Sequence, residues 1–255
     1  MAQLLKMLVY SPAGHGKTVL LGSAAGDDRL CPMLLIDFEG GIDSILSKVR
    51  EIQLDEIGKI DPQIDKIDVV RVYHWTEFDR AYDLLSKSKT YKTVAIDSLS
   101  ELNYLNLTEI TAQAIKADSR HDPDNPQRED YGRSSTQMRR LIRQFRDLPL
   151  HCILTCGAKE EEDAKSRKSQ VRPNLTGKLT NEVPGLVSTL GYLAIVEDQQ
   201  GPYRALICQP DERFMAKDRS EGGKLGTIVA EPTLPYLLDL LEGKAVIGTT
   251  EETTA

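Results

Sequence analysis

The stretch SPAGHGKT, residues 11–18, decides how the rest of the chain is read. It follows the apolar run LLKMLVY and opens a segment with a helical pattern. It departs at one position from the phosphate-loop pattern G-x-x-x-x-G-K-[ST], because Ser11 stands where the first glycine is usual. A strand ending at Tyr10 and a helix starting near Gly16 supply the strand, loop and helix context that separates working loops from chance matches. In that context the backbone N–H groups of Ala13, Gly14, His15, Gly16, Lys17 and Thr18 are expected to wrap a β-phosphate at the positive end of the helix dipole. Gly14 and Gly16 permit the dihedral angles of the wrap. Lys17 is expected to reach the β- and γ-phosphates, and the Thr18 hydroxyl to bind Mg²⁺. The first position shapes the entry turn without touching phosphate, a task Ser11 and Pro12 can perform. The plain alternative is an ordinary glycine-rich strand-to-helix turn.

Outward from the loop, short apolar runs alternate with amphipathic segments. MLVY, PMLLID, DVVRVY, TVAID and HCILTC are of strand length and rich in Val, Ile and Leu, as strands buried on both faces are. Helices are predicted over 17–25, 42–50, 77–86, 99–117 and 134–146. This alternation predicts an α/β fold with a largely parallel central sheet. Near the end, GYLAIVED and YRALICQP flank QQGP and predict an antiparallel β-hairpin, and PTLPYLLDLLEG predicts a short closing helix. Residues 1–242 read as one domain and 243–255 as an unstructured tail.

Two acidic segments meet the needs of a hydrolysing nucleotide site. TVAIDSLSEL places Asp97 at the C-terminal end of a strand, where ligands of open α/β sheets sit, so Asp97 is the candidate metal-supporting carboxylate. Its bland reading is a helix cap, which Ser98 serves equally well. PMLLIDFEGG places Asp37 and Glu39 at another strand end beside two glycines. Glu39 is the candidate general base, Asp37 the alternative, and a solvated acidic turn the bland reading.

Composition narrows the classes. The net charge of −7 argues against a surface that holds nucleic acid everywhere by bulk electrostatics, so any such site must be local. The four cysteines form no C-x-x-C pair and predict a reducing cytoplasm without disulfides or structural zinc. No apolar run is long enough to span a bilayer, and a soluble protein without a membrane partner is expected. His74, Trp75, His121 and His151 form no triad or metal set. Irregular polar loops are expected over 117–132 and 159–178.

With the phosphate loop, LLIDFEGG and VAIDSLSEL in this order, the chain resembles the RecA-like P-loop ATPases. In these a glutamate closes the strand after the loop helix, and an Asp-Ser pair ends the Walker B strand. RPNLTGKLTNEVPGLVSTLGYLAIV and YRALICQPDERFMAKDRSEG look more particularly like phage-type minimal members of that core, the group that includes ATP-dependent single-strand annealing proteins. The resemblance covers about residues 5 to 242, and its second half is less specific than its first. It implies ATP with Mg²⁺, slow or DNA-stimulated hydrolysis, and a homo-oligomeric ring or filament acting on single-stranded DNA in recombination or replication. It also implies a γ-phosphate sensor at the end of HCILTC, where Thr155 can serve and Cys156 cannot.

In such proteins two mobile loops hold the strand. The segment 164–178 carries Lys165, Arg167, Lys168, Arg172 and Lys178 with no acidic residue, as a loop tracking a phosphate backbone would. It lacks an aromatic residue, and Tyr131 from the other loop is the candidate for base stacking. A subunit-boundary site further implies a basic residue from a neighbour, and Lys217 or Arg219 of MAKDRS fits that arrangement. Two other readings stay open. One is a nucleotide-gated assembly or protein-partner ATPase without DNA, and the other is a helicase-like ring motor.

Overall fold

The computed structural model describes residues 4–117, 122, 125–162 and 169–247. In chain order the elements are β1 (Lys6–Ser11), α1 (Lys17–Gly22), β2 (Met33–Asp37), a 3-10 segment (Ile42–Lys48), β3 (Val49–Glu51), β4 (Ile67–Arg71), α2 (Trp75–Lys87), β5 (Thr93–Asp97) and α3 (Leu99–Ala117). There follow α4 (Arg128–Asp147), β6 (His151–Glu162), β7 (Ser169–Pro173), α5 (Leu179–Leu186), β8 (Thr189–Asp198), β9 (Gly201–Ile207), β10 (Lys217–Asp218), β11 (Ile228–Ala230) and α6 (Leu234–Glu242).

The strands form one sheet in the order β11-β9-β8-β1-β6-β5-β2-β4-β3, with β10 paired to β8 and β7 to β6. From β8 to β3 every neighbour along this path is parallel, and β9 returns antiparallel from β8 as the expected hairpin. The strand of the phosphate loop and the strand of Asp97 are separated by one strand, β6. This is the expected α/β core, a largely parallel sheet with the phosphate-loop strand near its middle.

The apolar runs became central strands because both of their faces are covered. Leu8 and Tyr10 of β1 join the cluster of Phe78, Met138 and Phe145 on one side, while Met7 and Val9 join Leu20, Leu21, Leu237 and Leu238 on the other. Thus α2 and α4 cover one face, and α1 and α6 the other. Phe78 and Phe145 stack with ring centroids 4.9 Å apart, and truncating either fully buried ring costs about 3–5 kcal/mol.

The structure departs from the sequence pattern in three places that bear on function. The predicted helix over 42–50 is a 3-10 segment that gives way to β3 at Val49. Pairing of β3 with β4, together with the Arg50–Asp68 ion pair at 2.6 Å, draws the end of the segment into the sheet. The strand HCILTC does not end at Cys156 but continues to Glu162, and β7 returns antiparallel beside it, so much of the expected loop 159–178 is a two-stranded arm followed by α5. Its alternating charged residues read as loop because partners lie across the arm: Arg172 of β7 lies 3.9 Å from Glu161 of β6, and Ser169 donates to Glu160 at 2.6 Å. Finally, α4 starts at Arg128, capped by Gln127 and Asp130, so Tyr131 lies in a helix and not in a loop. Beyond α6, Ala245 and Ile247 pack against the second core cluster, while 248–255 lie outside the described residues, as does His121.

Candidate functional site

The parallel register brings the C-terminal ends of β1, β2 and β5 to one edge, level with Gly157 within β6. Ser11 of β1 is level with Gly157 of β6, and Asp37 of β2 with Asp97 of β5. Beyond that edge lies a cleft of about 500 Å³ whose lining includes Ala13, Gly14, Lys17, Thr18, Glu39 and Arg204. Ligands of open α/β sheets bind at this edge.

The loop turns through two positive backbone angles, φ 79° at Gly14 and 97° at Gly16, which residues with a Cβ rarely adopt. The Lys17 ammonium folds back on the loop and donates to the carbonyls of Ser11 (3.1 Å) and Pro12 (3.2 Å). Ser11 therefore keeps the backbone role of the first loop position, and its buried hydroxyl donates to the Pro12 carbonyl at 3.2 Å. The His15 ring is turned aside: Nδ1 donates to the Leu193 carbonyl of β8 at 3.1 Å, which anchors the loop to the sheet.

Asp97 is the electrostatic centre of the site. Its Oδ2 accepts from the Thr18 hydroxyl at 2.8 Å, its Oδ1 from the Thr155 hydroxyl, and it is 2 % exposed. Burial holds its carboxyl above the usual range, an effect the two hydroxyl bonds oppose and the charges of Glu39 and Asp37 reinforce. The Thr155 hydroxyl is thus committed to Asp97, with the side chain 1 % exposed. The Cys156 thiol is fully buried beside the Ser100 hydroxyl and is pushed up to about 11 by burial.

The two carboxylates of β2 part company. Asp37 Oδ1 accepts the N–H groups of Glu39 (3.1 Å) and Gly40 (3.0 Å), shaping the turn, while its Oδ2 is buried without a partner. Burial raises its carboxyl as well. Glu39 stands exposed in the cleft and accepts a hydrogen bond from the Ser98 hydroxyl.

The oxygen donors suit Mg²⁺. Among the described residues no group of three or more His, Cys, Asp or Glu side chains is gathered to hold a metal. What stands at the loop is one hydroxyl and one carboxylate in contact, the hard-oxygen pair of a cation that takes its remaining ligands from phosphates and water. Thr18 and Asp97 are the residues that would hold it.

Other expected residues lie apart. Lys217 and Arg219 do not line the cleft. The Lys217 ammonium donates to the carbonyls of Pro184 (2.5 Å) and Val187 (2.7 Å), and burial, with the nearby Arg219 charge, lowers it to about 8. The Arg219 side chain is exposed. Arg172 is held by Gln170 at 2.9 Å and lies 3.9 Å from Glu161, Lys178 is exposed at the start of α5, and Tyr131 is 40 % exposed. Lys165, Arg167 and Lys168 lie outside the described residues. Arg204 of β9 and Ser100, Gly157 and Asn174 also line the cleft, and no local pattern in the sequence marks them.

Among solved structures, the KaiC-like protein PH0186 from the hyperthermophilic archaeon Pyrococcus horikoshii OT3 is similar, with 13% identity over 89% of this chain and 88% of its own and a TM-score of 0.47. No curated protein sequence matches the chain. Among the described residues, no helix is long and apolar enough to cross a membrane. Residues 3–220 match the family described as AAA domain. With that match over most of its length, a phosphate loop whose Thr18 is bonded to Asp97 and a nucleotide-sized cleft beside it, the chain belongs to this AAA domain family and is an ATPase that uses ATP and Mg²⁺.

Proposed function

We propose that the chain couples ATP hydrolysis in this cleft to single-stranded DNA held by the β6–β7 arm, in recombination or replication of the phage type, as an oligomer whose sites lie at subunit boundaries. In the cleft, Lys17 leaves the carbonyls of Ser11 and Pro12 to meet the β- and γ-phosphates, a short movement because the ammonium already lies against the loop. Bound Mg²⁺ neutralises charge on those phosphates. Thr18 and Asp97 would hold it from the protein side. Glu39 accepts a proton from the attacking water, with Ser98 holding one carboxylate oxygen in place. Asp37 is the turn-shaping residue, since its Oδ1 is already occupied by two backbone N–H groups.

One observation carries the coupling. Strand β6 runs unbroken from Thr155, bonded to Asp97, through Gly157, which lines the cleft, to Glu162, and Lys165, Arg167 and Lys168 follow in the sequence. A shift at the nucleotide therefore has a continuous hydrogen-bonded strand along which to reach the basic segment. Single-strand binding measured with and without ATP across a salt series tests this. Binding strengthened by ATP, with log affinity falling linearly against log salt, is expected. Absence of binding at low salt in the presence of ATP would sink it.

A second reading has its own support. Lys159 and Arg172 of the arm are already engaged by Glu161, which lowers the positive charge the described part of the arm offers. A nucleotide-gated assembly that meets a protein through the arm fits that neutralisation. It predicts a mass change on ATP addition without DNA affinity.

A further inference from the structure

Arg204 reaches the phosphate loop from β9, 189 residues away in sequence, and donates from Nε to the His15 carbonyl at 3.1 Å. The guanidinium fills the space that a side chain at Gly16 would need: a Cβ there would lie 2.3 Å from Nε and 3.0 Å from Cζ. Gly16 is thus required by its backbone angle and also by this contact. The backbone of Arg204 is tied on both sides to Glu231, whose N–H donates to the Arg204 carbonyl at 2.7 Å and whose Oε1 accepts the Arg204 N–H at 3.2 Å.

Among the described residues the charge of Arg204 meets no carboxylate. Arg29, Arg50, Arg139 and Arg146 each place a guanidinium nitrogen 2.6 Å from a carboxylate. Arg204 has no such ion pair among the described residues, and its side chain bonds only through Nε, although it lines the cleft with Lys17. An arginine held by Nε still has its two terminal nitrogens to present as a planar fork, the geometry that pairs with a phosphate through two hydrogen bonds.

The sheet order says which phosphate. Counting from β1, β5 and β2 lie two and three strands to one side, and β9 lies two strands to the other. With Glu39 after β2 as the base, the γ-phosphate faces β2 and β5, and the nucleoside end points towards β9. We propose that Arg204 is a nucleotide-binding residue, supplied within the same subunit, that pairs with the α-phosphate of ATP. The assignment rests on the reading of Glu39 as the base. A contact distant from the bond being broken serves ground state and transition state alike, so it acts on KM and not on kcat.

Calorimetry on wild type, Arg204→Ala and Arg204→Lys, with ATP, ADP and tripolyphosphate in Mg²⁺, tests the proposal alongside steady-state turnover. Arg204→Ala is expected to weaken all three ligands about tenfold, the scale of one charge-assisted pair. Arg204→Lys should recover part of the loss, and kcat at saturating ATP should change by less than about threefold. Wild-type affinity in Arg204→Ala would overturn the proposal. So would ATP affinity lost while tripolyphosphate affinity is kept, which marks a contact with the base. A collapse of kcat at unchanged affinity would overturn it too, by placing the arginine at the γ-phosphate. If Arg204→Ala does not fold, as its melting would show, Arg204→Gln removes the charge at similar length and takes its place. Failure of the phosphate loop itself reads differently: wild-type protein would then bind no ATP, or Lys17→Ala would bind it undiminished.

Discussion

The Thr18 hydroxyl donates to Asp97 Oδ2 at 2.8 Å, so the first turn of α1 and the end of β5, 79 residues apart in sequence, meet at one carboxylate. The pair is already assembled, and Thr155 holds the other carboxylate oxygen. A site built this way needs little rearrangement to accept a cation.

The Thr18–Asp97 contact leads to a metal-specific expectation. Asp97→Asn keeps an oxygen facing one of the two hydroxyls but removes the charge, so the fold should persist while Mg²⁺ no longer strengthens ATP binding. Nucleotide titrations with and without Mg²⁺ check this. A variant that retains the wild-type Mg²⁺ dependence places the metal on other residues.

Glu39 and Asp37 should separate cleanly. Glu39→Gln is expected to keep ATP bound and slow hydrolysis by about 10²-fold or more, as loss of a positioned base does. Asp37→Ala should lower the melting temperature, because it removes the Oδ1 that holds the N–H groups of Glu39 and Gly40, whereas Asp37→Asn keeps that acceptor and should still hydrolyse ATP. If single-turnover hydrolysis fails in Asp37→Asn and survives in Glu39→Gln, the base is Asp37.

Lys17→Ala is expected to abolish nucleotide binding with little change in melting temperature, because it removes two carbonyl contacts at the loop and no core packing. Arg219, exposed and away from its own cleft, is expected to act on a neighbour's γ-phosphate, so Arg219→Ala should lower turnover far more than affinity. Mixing the two inactive variants should restore some turnover through boundaries that combine an intact loop with an intact arginine. Co-assembled mixtures that stay inactive would remove Arg219 from the site. Lys217 is the weaker candidate, since its ammonium is bound to the carbonyls of Pro184 and Val187.

His151 predicts an acid-sensitive term in stability. Its Nδ1 accepts the Leu5 N–H at 3.0 Å, so the ring is neutral there, and burial, followed by the Lys6 charge, lowers its pKa below the ordinary 6.5. The unfolded chain then takes up a proton before the folded one does. The stabilisation is complete above pH 6.5 and is lost as pH falls from 6.5 to the lowered folded value. His151→Asn keeps an acceptor for Leu5 without the titration, and urea unfolding from pH 7.5 to 5 should show a shallower fall for the variant than for wild type. Parallel curves would mean that the ring does not titrate differently in the fold.

The sequence by itself determined the α/β alternation, the largely parallel sheet, the phosphate loop and the two acidic strand ends. These are local properties: continuous apolar runs such as TVAID can only be strands covered on both faces, and a glycine-rich turn before Lys17 and Thr18 has a geometry that its own backbone sets. The start of helix α3 at Leu99 was legible, directly after the acidic strand end, and the helix runs to the last residue described there, Ala117. The tertiary structure alone decided what depends on neighbours distant in the chain. It separated Asp37 from Glu39 by which backbone N–H groups and which hydroxyl reached each carboxylate, and it committed Thr155 to Asp97. It made a strand of Lys159 to Glu162, whose charges read as loop until Ser169 to Pro173 lay beside them. It also brought Arg204 to Gly16, a contact between a hairpin strand and a loop 188 positions earlier that no periodicity encodes, because only the order of strands in the sheet places those two residues side by side.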